Sequence, residues 1–237
     1  MKKRTKGVLA AALAAAGVFL LAGLDARLLV RAYTVESGRL TGPVRPAVLT
    51  DLHACAYGEG QRELLDAVAE QSPDLVLLCG DIVDDEPRMP EARALDTVEA
   101  LAAVWPTYYV TGNHEARVSE CAELKAGLEA AGVVVLENER GEIELSGETI
   151  TILGVDDPSF NTDYLFGDSA SVVSNTLAEI STEDDGFAVL LSHRPELFDT
   201  YVACGVDLAL SGHAHGGQFR LPFVGGLVAP NQGLFPK

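Results

Sequence analysis

Short apolar runs alternate with stretches of helical periodicity along most of this chain. Runs of four or five residues predict buried strands, and the segments between them repeat apolar residues every three or four positions, as amphipathic helices do. The predicted strands of the first half are 47–50, 75–79 and 107–110. The predicted helices are 61–70, one that Pro90 opens, and 118–131, which Gly132 ends in a left-handed turn.

The pattern becomes rich in strands after Gly132. Further strands are predicted at 133–136, 142–145, 149–153, 187–191 and 206–210, with hairpin breaks at 139–141 and 146–148 and one helix at 169–180. Alternating strands and helices followed by a strand-rich half indicate an α/β fold. We therefore predict two sheets packed face to face, with helices outside.

The first 31 residues form a segment of a different kind. A basic start precedes an uncharged run of 17 residues from Val8 to Leu24, which is at the short end for a membrane-spanning helix and longer than most signal-peptide cores. No good small-x-small cleavage site follows, so we favour an uncleaved anchor over a cleaved signal peptide. Four cationic residues precede the run and two follow it, which predicts that the N-terminus is inside and the main domain outside the cell membrane.

Charge is divided unevenly between this segment and the rest of the chain. Residues 1–31 carry a net charge of +5 and the remainder −23, which together give −18. Because nucleic-acid backbones require neutralisation by Lys and Arg, so acidic a domain excludes binding through a basic surface. The four cysteines show no C-x-x-C spacing, which excludes zinc-ribbon and thioredoxin-like sites.

All five histidines lie in short motifs beside glycine, a carboxylate, an amide or another histidine. Each motif follows a predicted strand, and ligands of α/β sheets gather beyond the carboxyl ends of the strands. The motifs are Asp51-Leu52-His53, Gly80-Asp81, Gly112-Asn113-His114-Glu115, Ser192-His193 and Gly212-His213-Ala214-His215.

Together these motifs offer two aspartates, one asparagine and four histidines, with His114 left over. Mixed nitrogen and oxygen ligands without thiolate suit Mn, Fe, Zn, Co or Ni rather than Ca or Mg. Asp81 is the natural candidate to bridge two cations, and Gly80 allows a tight turn before it. Two cations about 3.5–4 Å apart can generate hydroxide near neutral pH and clamp an in-line displacement at phosphorus.

The five motifs resemble the signature of the calcineurin-like metallophosphoesterases over roughly residues 46–220. The segments Ser192–Glu196 and Ser211–Gln218, together with the N-terminal anchor, are similar to those of a bacterial membrane-associated branch. That branch includes UDP-2,3-diacylglucosamine pyrophosphatase-like enzymes. The resemblance implies an αββα sandwich of two packed, mainly mixed β-sheets flanked by helices, preceded by an N-terminal hydrophobic helix.

The sequence pattern and the resemblance together predict domain bounds, and the resemblance implies residue roles. Residues 1–31 would be the anchor, 32–45 a linker or lead-in strand, and 46–237 the catalytic domain. His114 would be catalytic, facing the scissile phosphate and protonating the leaving oxygen, which suits an imidazole that titrates near neutral pH. The implied metal ligands are Asp51, His53 and His215 for one cation, Asn113, His193 and His213 for the other, and Asp81 as the bridge between them.

The activity implied is that of a dinuclear metal-dependent phosphoesterase that uses a metal-bridging hydroxide. Mn²⁺ is the first choice of cation. The bond would be a phosphodiester or pyrophosphate in a phosphorylated small-molecule or lipid-linked substrate such as UDP-2,3-diacylglucosamine. The alternatives are an outward-facing phosphomonoesterase or nucleotidase and a non-catalytic scaffold on the same fold. Membrane contact is expected through the N-terminal helix, and nucleic acid is not an expected partner.

Three features depart from the family pattern. Family members continue past the glycine-rich segment, so we expect that the C-terminal part of the domain is missing. Ala214 occupies a position often held by threonine, and Glu115 one often held by aspartate.

Overall fold

The computed structural model describes residues 6–9, 13–14, 16–19, 28–86, 91–161, 168–182, 186–218, 220–221 and 225–235. The chain divides into two compact units, which are described separately. The larger unit is Val30–His213, and the smaller comprises Met1–Leu29 and Ala214–Lys237.

The first half of the larger unit builds a four-stranded parallel sheet. Its strands lie in the order β1 (Pro46–Leu49), β2 (Leu75–Cys79), β3 (Thr107–Val110) and β4 (Val134–Val135). They are connected by α1 (Arg62–Glu70), α2 (Glu91–Ala102) and α3 (Cys121–Ala130). Strand β2 is buried at every residue, because an apolar strand inside a parallel sheet is covered on both faces.

The second half builds a four-stranded mixed sheet. Its strands lie in the order β5 (Glu139–Leu145), β6 (Glu148–Val155), β7 (Phe187–Ser192) and β8 (Leu208–Leu210). Strand β5 pairs antiparallel with β6, and the other two pairings are parallel. Helix α4 (Ser169–Ile180) lies between β6 and β7 in the chain, and the short α5 (Phe198–Ala203) lies between β7 and β8.

The two sheets of the larger unit pack face to face. Leu77 and Val110 of the first sheet share a buried apolar cluster with Ile152 and Leu191 of the second. A second cluster joins the outer face of the first sheet to α1, α2 and α3, and a third joins the outer face of the second sheet to α4 and α5. The structure therefore confirms the predicted α/β fold, in which two sheets are flanked by helices.

Two expectations about strands are corrected, and a third is narrowed. The first sheet is parallel rather than mixed in its described residues, because a crossover helix precedes each of its last three strands. The break predicted at 139–141 belongs to β5, which is an edge strand and tolerates exposed polar residues there. Residues 32–45, predicted as a linker or a lead-in strand, contain no strand, since Gly38, Gly42 and Pro43 interrupt this stretch.

The smaller unit contains two short antiparallel strand pairs. They are β9 (Arg220–Leu221) with β10 (Gly225–Gly226), and β11 (Val228–Ala229) with β12 (Gly233–Leu234). Residues 6–9, 13–14 and 16–19 are helical. Residues 28–31 have no regular secondary structure, and the rest of the predicted membrane anchor, like Pro90, lies outside the described residues. Among the residues that are described, no helix is both long enough and apolar enough to cross a bilayer.

Candidate metal centre

The motif loops of the larger unit begin just beyond the ends of strands. Asp51 lies just after β1, Asp81 after β2, Asn113 after β3, and His193 after β7. Backbone hydrogen bonds continue from the sheets into these loops: the N–H of Asp51 donates to Gly80 at 3.1 Å. The loops are therefore extensions of the rigid sheets, which is the placement expected of ligand-binding residues in α/β folds.

Two glycines allow these loops to cross closely. Gly80 has a φ of +84°, and a Cβ placed there would lie 2.6 Å from the Gly112 nitrogen and 2.8 Å from His193 Nδ1. A Cβ on Gly112 would overlap the carboxylate of Asp81. The tight turn predicted at Gly80 is confirmed, and any larger residue at either position would push the loops apart.

Several predicted ligands have a left-handed backbone. Their φ values are +54° at Asp51, +47° at His53, +51° at Asp81 and +64° at His213. A residue with a Cβ pays about 1–2 kcal/mol for this conformation. Strain of this kind persists only where the surrounding structure imposes it, and it concentrates at functional sites.

Asp81 lies at the centre of the converging side chains. Its Oδ2 is 3.0 Å from His193 Nε2, 4.0 Å from His53 Nε2 and 4.0 Å from His114 Nε2. Its Oδ1 accepts the backbone N–H of His114 at 2.8 Å. One carboxylate is thus shared among imidazoles from three separate loops.

Two of the groups of closely spaced donor atoms share Asp81. One group is His53, Asp81 and His114, and the other is Asp81, His193 and His213; within each, potential ligand atoms lie within 4.8 Å of one another. The His53 and His114 rings are 4.6 Å apart at their centroids, and those of His193 and His213 are 5.1 Å apart. Asp81 therefore lies where two groups of donors meet, and both its bridging role and the assignment of each ligand stay predictions.

The donor set fits divalent cations. The Oδ1 atom of Asn113 is buried and accepts no hydrogen bond from any described group, which is costly for an amide oxygen unless a cation binds it. His193 Nδ1 lies 2.7 Å from the carbonyl of Cys79, so this nitrogen carries the proton and Nε2 can offer its lone pair. A backbone carbonyl that orients an imidazole in this way is typical of metal-ligating histidines.

The ionisation of these groups reflects burial and close charges. Burial lowers the pKa of His193, but the adjacent Asp81 carboxylate outweighs it and raises the pKa to about 9. The pKa of Asp81 falls below its ordinary range despite burial, because His193 is hydrogen-bonded to it. Burial, Arg194 and His193 lower the pKa of His213 to about 4. A cation that binds His193 must displace a proton from it.

Glu115 ties the Asp81 loop to the Asn113 loop. Its buried carboxylate accepts backbone N–H groups from Asp81 at 2.9 Å, Ile82 at 2.8 Å and Gly112 at 2.7 Å. Burial and the nearby Asp81 charge raise the pKa of Glu115. The sequence marked Glu115 only as a departure from the family pattern, although a carboxylate directly after a candidate catalytic histidine was a usable signal.

Two further carboxylates were missed by sequence reasoning. Asp84 Oδ2 lies 3.2 Å from His53 Nδ1, and Asp85 Oδ1 lies 2.7 Å from His114 Nδ1. Each thus pairs with the imidazole nitrogen opposite the Nε2 that faces Asp81. Their closeness in the chain to Asp81 was the available signal, since Asp84 and Asp85 lie in the loop that Asp81 begins.

A buried ion pair was missed as well. Arg194 Nε and Nη2 lie 2.5 and 2.9 Å from the two carboxylate oxygens of Asp157, and Arg194 Nη1 lies 3.1 Å from His213 Nε2. Asp157 follows the end of β6, the same kind of position that the recognised motifs occupy. The position of Asp157 just after a strand was the only sign of this ion pair in the sequence.

The structure thus brings most of the predicted site residues together. Hydrogen bonds and close contacts join Asp51, His53, Asp81, His114, His193 and His213. Asn113 lies in the same loop as His114. His215 belongs to the smaller unit, where its backbone is left-handed with a φ of +48°, and its role as a ligand stays a prediction.

Comparison with known proteins defines the class to which this fold and site belong. The calcineurin-like phosphoesterase family model matches residues 44–217. The chain therefore belongs to the calcineurin-like phosphoesterase family, as the motif resemblance predicted.

Two bacterial relatives and one solved structure illustrate the similarity. YkoQ of Bacillus subtilis, an uncharacterized metallophosphoesterase, is 30% identical over 73% of this chain and 62% of its own length. Phosphodiesterase YaeI of Escherichia coli is 30% identical over 79% of this chain and 66% of its own length. A Staphylococcus aureus structure named as a candidate 5′-nucleotidase shares the fold, with a TM-score of 0.50 and 13% identity over 78% of this chain and 47% of its own.

Proposed function

We propose that this chain is the catalytic part of a metal-dependent phosphoesterase that cleaves a phosphodiester or pyrophosphate bond. The observation that carries the proposal is the position of the Asp81 carboxylate, 3.0–4.0 Å from imidazoles of three loops. Membership of the calcineurin-like phosphoesterase family supports the proposal, and one relative that is 30% identical, YaeI, is named a phosphodiesterase.

Two cations would be held by the predicted ligands of the centre. Asp81 would contact both, and the buried Asn113 oxygen would gain the partner that it lacks among the described groups. When bound, two divalent cations such as Mn²⁺ supply charge neutralisation at the phosphoryl oxygens and make a coordinated water more acidic. The left-handed loops that carry Asp51, Asp81 and His213 hold these side chains in place before a substrate arrives.

His114 would serve as the proton donor to the leaving oxygen. Its side chain is 21% exposed, so a substrate can reach it, whereas the His193 side chain is fully buried. Asp85 holds His114 Nδ1 at 2.7 Å, which orients the ring and leaves Nε2 on the side of Asp81. A proton held on Nε2 is thereby directed toward the cluster of predicted ligands.

Hydrolysis of a chromogenic phosphodiester with added Mn²⁺ tests this function. His114→Ala removes the proposed proton donor and is expected to lower kcat by about 10²–10⁴-fold. Asp81→Asn removes the shared carboxylate and should lower both activity and Mn²⁺ content. Asp66→Asn, on the exposed face of α1, is the matched control and should retain full activity. Unchanged activity in either site variant contradicts the proposal.

The substrate that we propose is a lipid-linked or UDP-sugar pyrophosphate such as UDP-2,3-diacylglucosamine. The proposal is supported by the similarity of the Ser192–Glu196 segment and of the N-terminal segment to the membrane-associated branch of the family. Release of UMP from UDP-2,3-diacylglucosamine should exceed release of phosphate from simple monoesters and nucleotides. Faster turnover of 5′-nucleotides would instead favour a nucleotidase.

We further propose that the N-terminal segment anchors the chain with its main unit outside the cell membrane. The support is the basic start before the uncharged run from Val8 to Leu24. In a bacterial host, the chain should sediment with membranes and be digested by protease added to spheroplasts. Recovery in the soluble fraction, or full protection from protease, would contradict this arrangement.

A further inference from the structure

Arg194 is a buried cation with a fixed set of partners. Its side chain is 7% exposed, and its Nε and Nη2 atoms donate to the two oxygens of Asp157 at 2.5 and 2.9 Å. Nη2 also donates to Ser159 Oγ at 3.1 Å. A bidentate arginine–carboxylate pair fixes the plane of the guanidinium as well as its position.

The remaining end of this guanidinium reaches a predicted ligand. Arg194 Nη1 lies 3.1 Å from His213 Nε2 and 3.6 Å from Glu196 Oε1. Because a guanidinium can only donate, His213 Nε2 must accept, and this contact fixes which way the imidazole turns. Arg194 also follows His193 directly in the chain, so one residue links the loops after β7 and β8.

The partner of Arg194 is connected to the first sheet. The backbone N–H of Asp157 donates to Thr111 Oγ1 at 3.2 Å, and Thr111 Oγ1 donates to Asp156 Oδ1 at 2.7 Å. Thr111 directly precedes the Gly112-Asn113 motif. A continuous chain of polar contacts therefore runs from the Asn113 loop through Asp157 and Arg194 to His213.

We propose that Arg194 is a positioning residue that sets the orientation of the His213 imidazole relative to His193 and Asn113. The inference rests on the proposed function, in which these three residues hold one cation. Arg194 itself would contact neither cation nor substrate. Lysine could not replace it, since an ammonium cannot bind Asp157 in a bidentate manner and reach His213 at the same time.

Cobalt binding provides the main test. Purified full-length protein, stripped of metal, is titrated with Co²⁺ while visible absorption reports the coordination geometry. Arg194→Gln is expected to weaken the second binding event about 10–100-fold and change its spectrum, as loss of an orienting partner does at metal sites. Arg194→Lys should fail to restore either property. Arg39→Gln removes an arginine from the Arg39–Asp207 pair elsewhere in the larger unit and should bind Co²⁺ like the wild type.

A metal-free measurement separates failure of this inference from failure of the proposed function. In the wild type, the ¹⁵N shift of His213 Nε2 should be that of a nitrogen that accepts a hydrogen bond, and Arg194→Gln should change it. If the wild type binds no Co²⁺, the proposed function fails, while the ¹⁵N shift still tests the role of Arg194.

If Arg194→Gln does not fold, Ser159→Ala removes a single contact of Arg194 and should shift the cobalt spectrum in the same direction. Wild-type Co²⁺ affinity, spectrum and ¹⁵N shifts in Arg194→Gln, or in Ser159→Ala when the former is unfolded, overturn the inference.

Discussion

On the side of the first sheet, Glu115 accepts backbone N–H groups from the Asp81 and Gly112 loops; on the side of the second sheet, Arg194 binds the side chains of Asp157 and His213. Glu115 therefore fixes the course of two loops, whatever side chains they carry. Arg194 fixes the orientation of a ring. The two buried carboxylates also differ in pKa. Burial raises the pKa of Glu115, whereas the bound Arg194 guanidinium lowers the pKa of Asp157 despite burial.

Removal of Glu115 should produce the largest loss of stability. Glu115→Ala leaves the buried N–H groups of Asp81, Ile82 and Gly112 without an acceptor, so we expect the free energy of unfolding to fall by roughly 3–5 kcal/mol. Urea denaturation measures the change. Glu123→Ala, at an exposed position of α3, is the control and should stay within about 0.5 kcal/mol of wild type. Similar stability of the two variants would show that Glu115 does not hold the loops.

On the side of the second sheet, neutralising Asp157 should lower the free energy of unfolding somewhat less than removing Glu115 does. Asp157→Asn keeps the volume of the side chain but leaves the buried guanidinium of Arg194 without its bidentate partner, and we expect a loss of about 3 kcal/mol. The same denaturation experiment at pH 7 gives the value. A loss no larger than that of the exposed Arg39–Asp207 pair would contradict the importance of burial.

The stabilisation by Asp157 should depend on pH in a defined direction. Burial alone would raise the pKa of Asp157, but hydrogen bonding and charge from Arg194 lower it below its ordinary value. The unfolded chain therefore binds the proton more tightly, so the contribution is complete above the unfolded pKa of about 3.9 and is lost as pH falls through the folded pKa. The difference in unfolding free energy between wild type and Asp157→Asn should shrink below about pH 4. A constant difference down to pH 2 would be inconsistent with this pairing.

Bound cations should stabilise the two sheets together, because the predicted ligands lie in loops that follow strands of both sheets. At a free Mn²⁺ concentration of 100 times Kd, the folded state gains about 2.7 kcal/mol from one site. Thermal denaturation with Mn²⁺ and with a chelator measures this gain, and Asn113→Ala should reduce it. A melting temperature that does not respond to the chelator would argue against a metal centre.

The exposed pair of Arg39 and Asp207 should contribute least. Its atoms are 2.7 Å apart, but the Arg39 side chain is 51% exposed, so solvent screens the attraction. Arg39→Gln should lower the unfolding free energy by about 0–1 kcal/mol, and salt should reduce the effect further. A loss comparable with that of Asp157→Asn would show that burial does not separate these two ion pairs.

Regular elements with a strong pattern were predictable from the sequence. Strand β2 and helix α4 agree with the predicted 75–79 and 169–180, because an unbroken apolar run and a helical period are local signals. The start of β5 was not predictable from its polar residues. Its register depends on backbone pairing of Glu139 with Gly154, which lies 15 positions away in the chain.

The candidate site shows the same division between local and distant information. Asp51, Asp81, Asn113 and His193 were recognisable because each lies in a short motif just beyond a strand. The contact of Arg194 with Asp157 joins residues 37 positions apart, and nothing in either local sequence announces it. Long-range partners that orient recognised ligands are therefore the part of the site that requires the folded structure.

The left-handed backbone of the motif loops has a consequence for engineering this protein. Glycine would relieve the conformational penalty at Asp51, His53, Asp81 and His213, yet glycine carries no donor atom. Glycine or asparagine at these positions would lower the conformational cost but would remove or change the predicted ligands. Stability and metal binding therefore favour different residues at the same backbone angle.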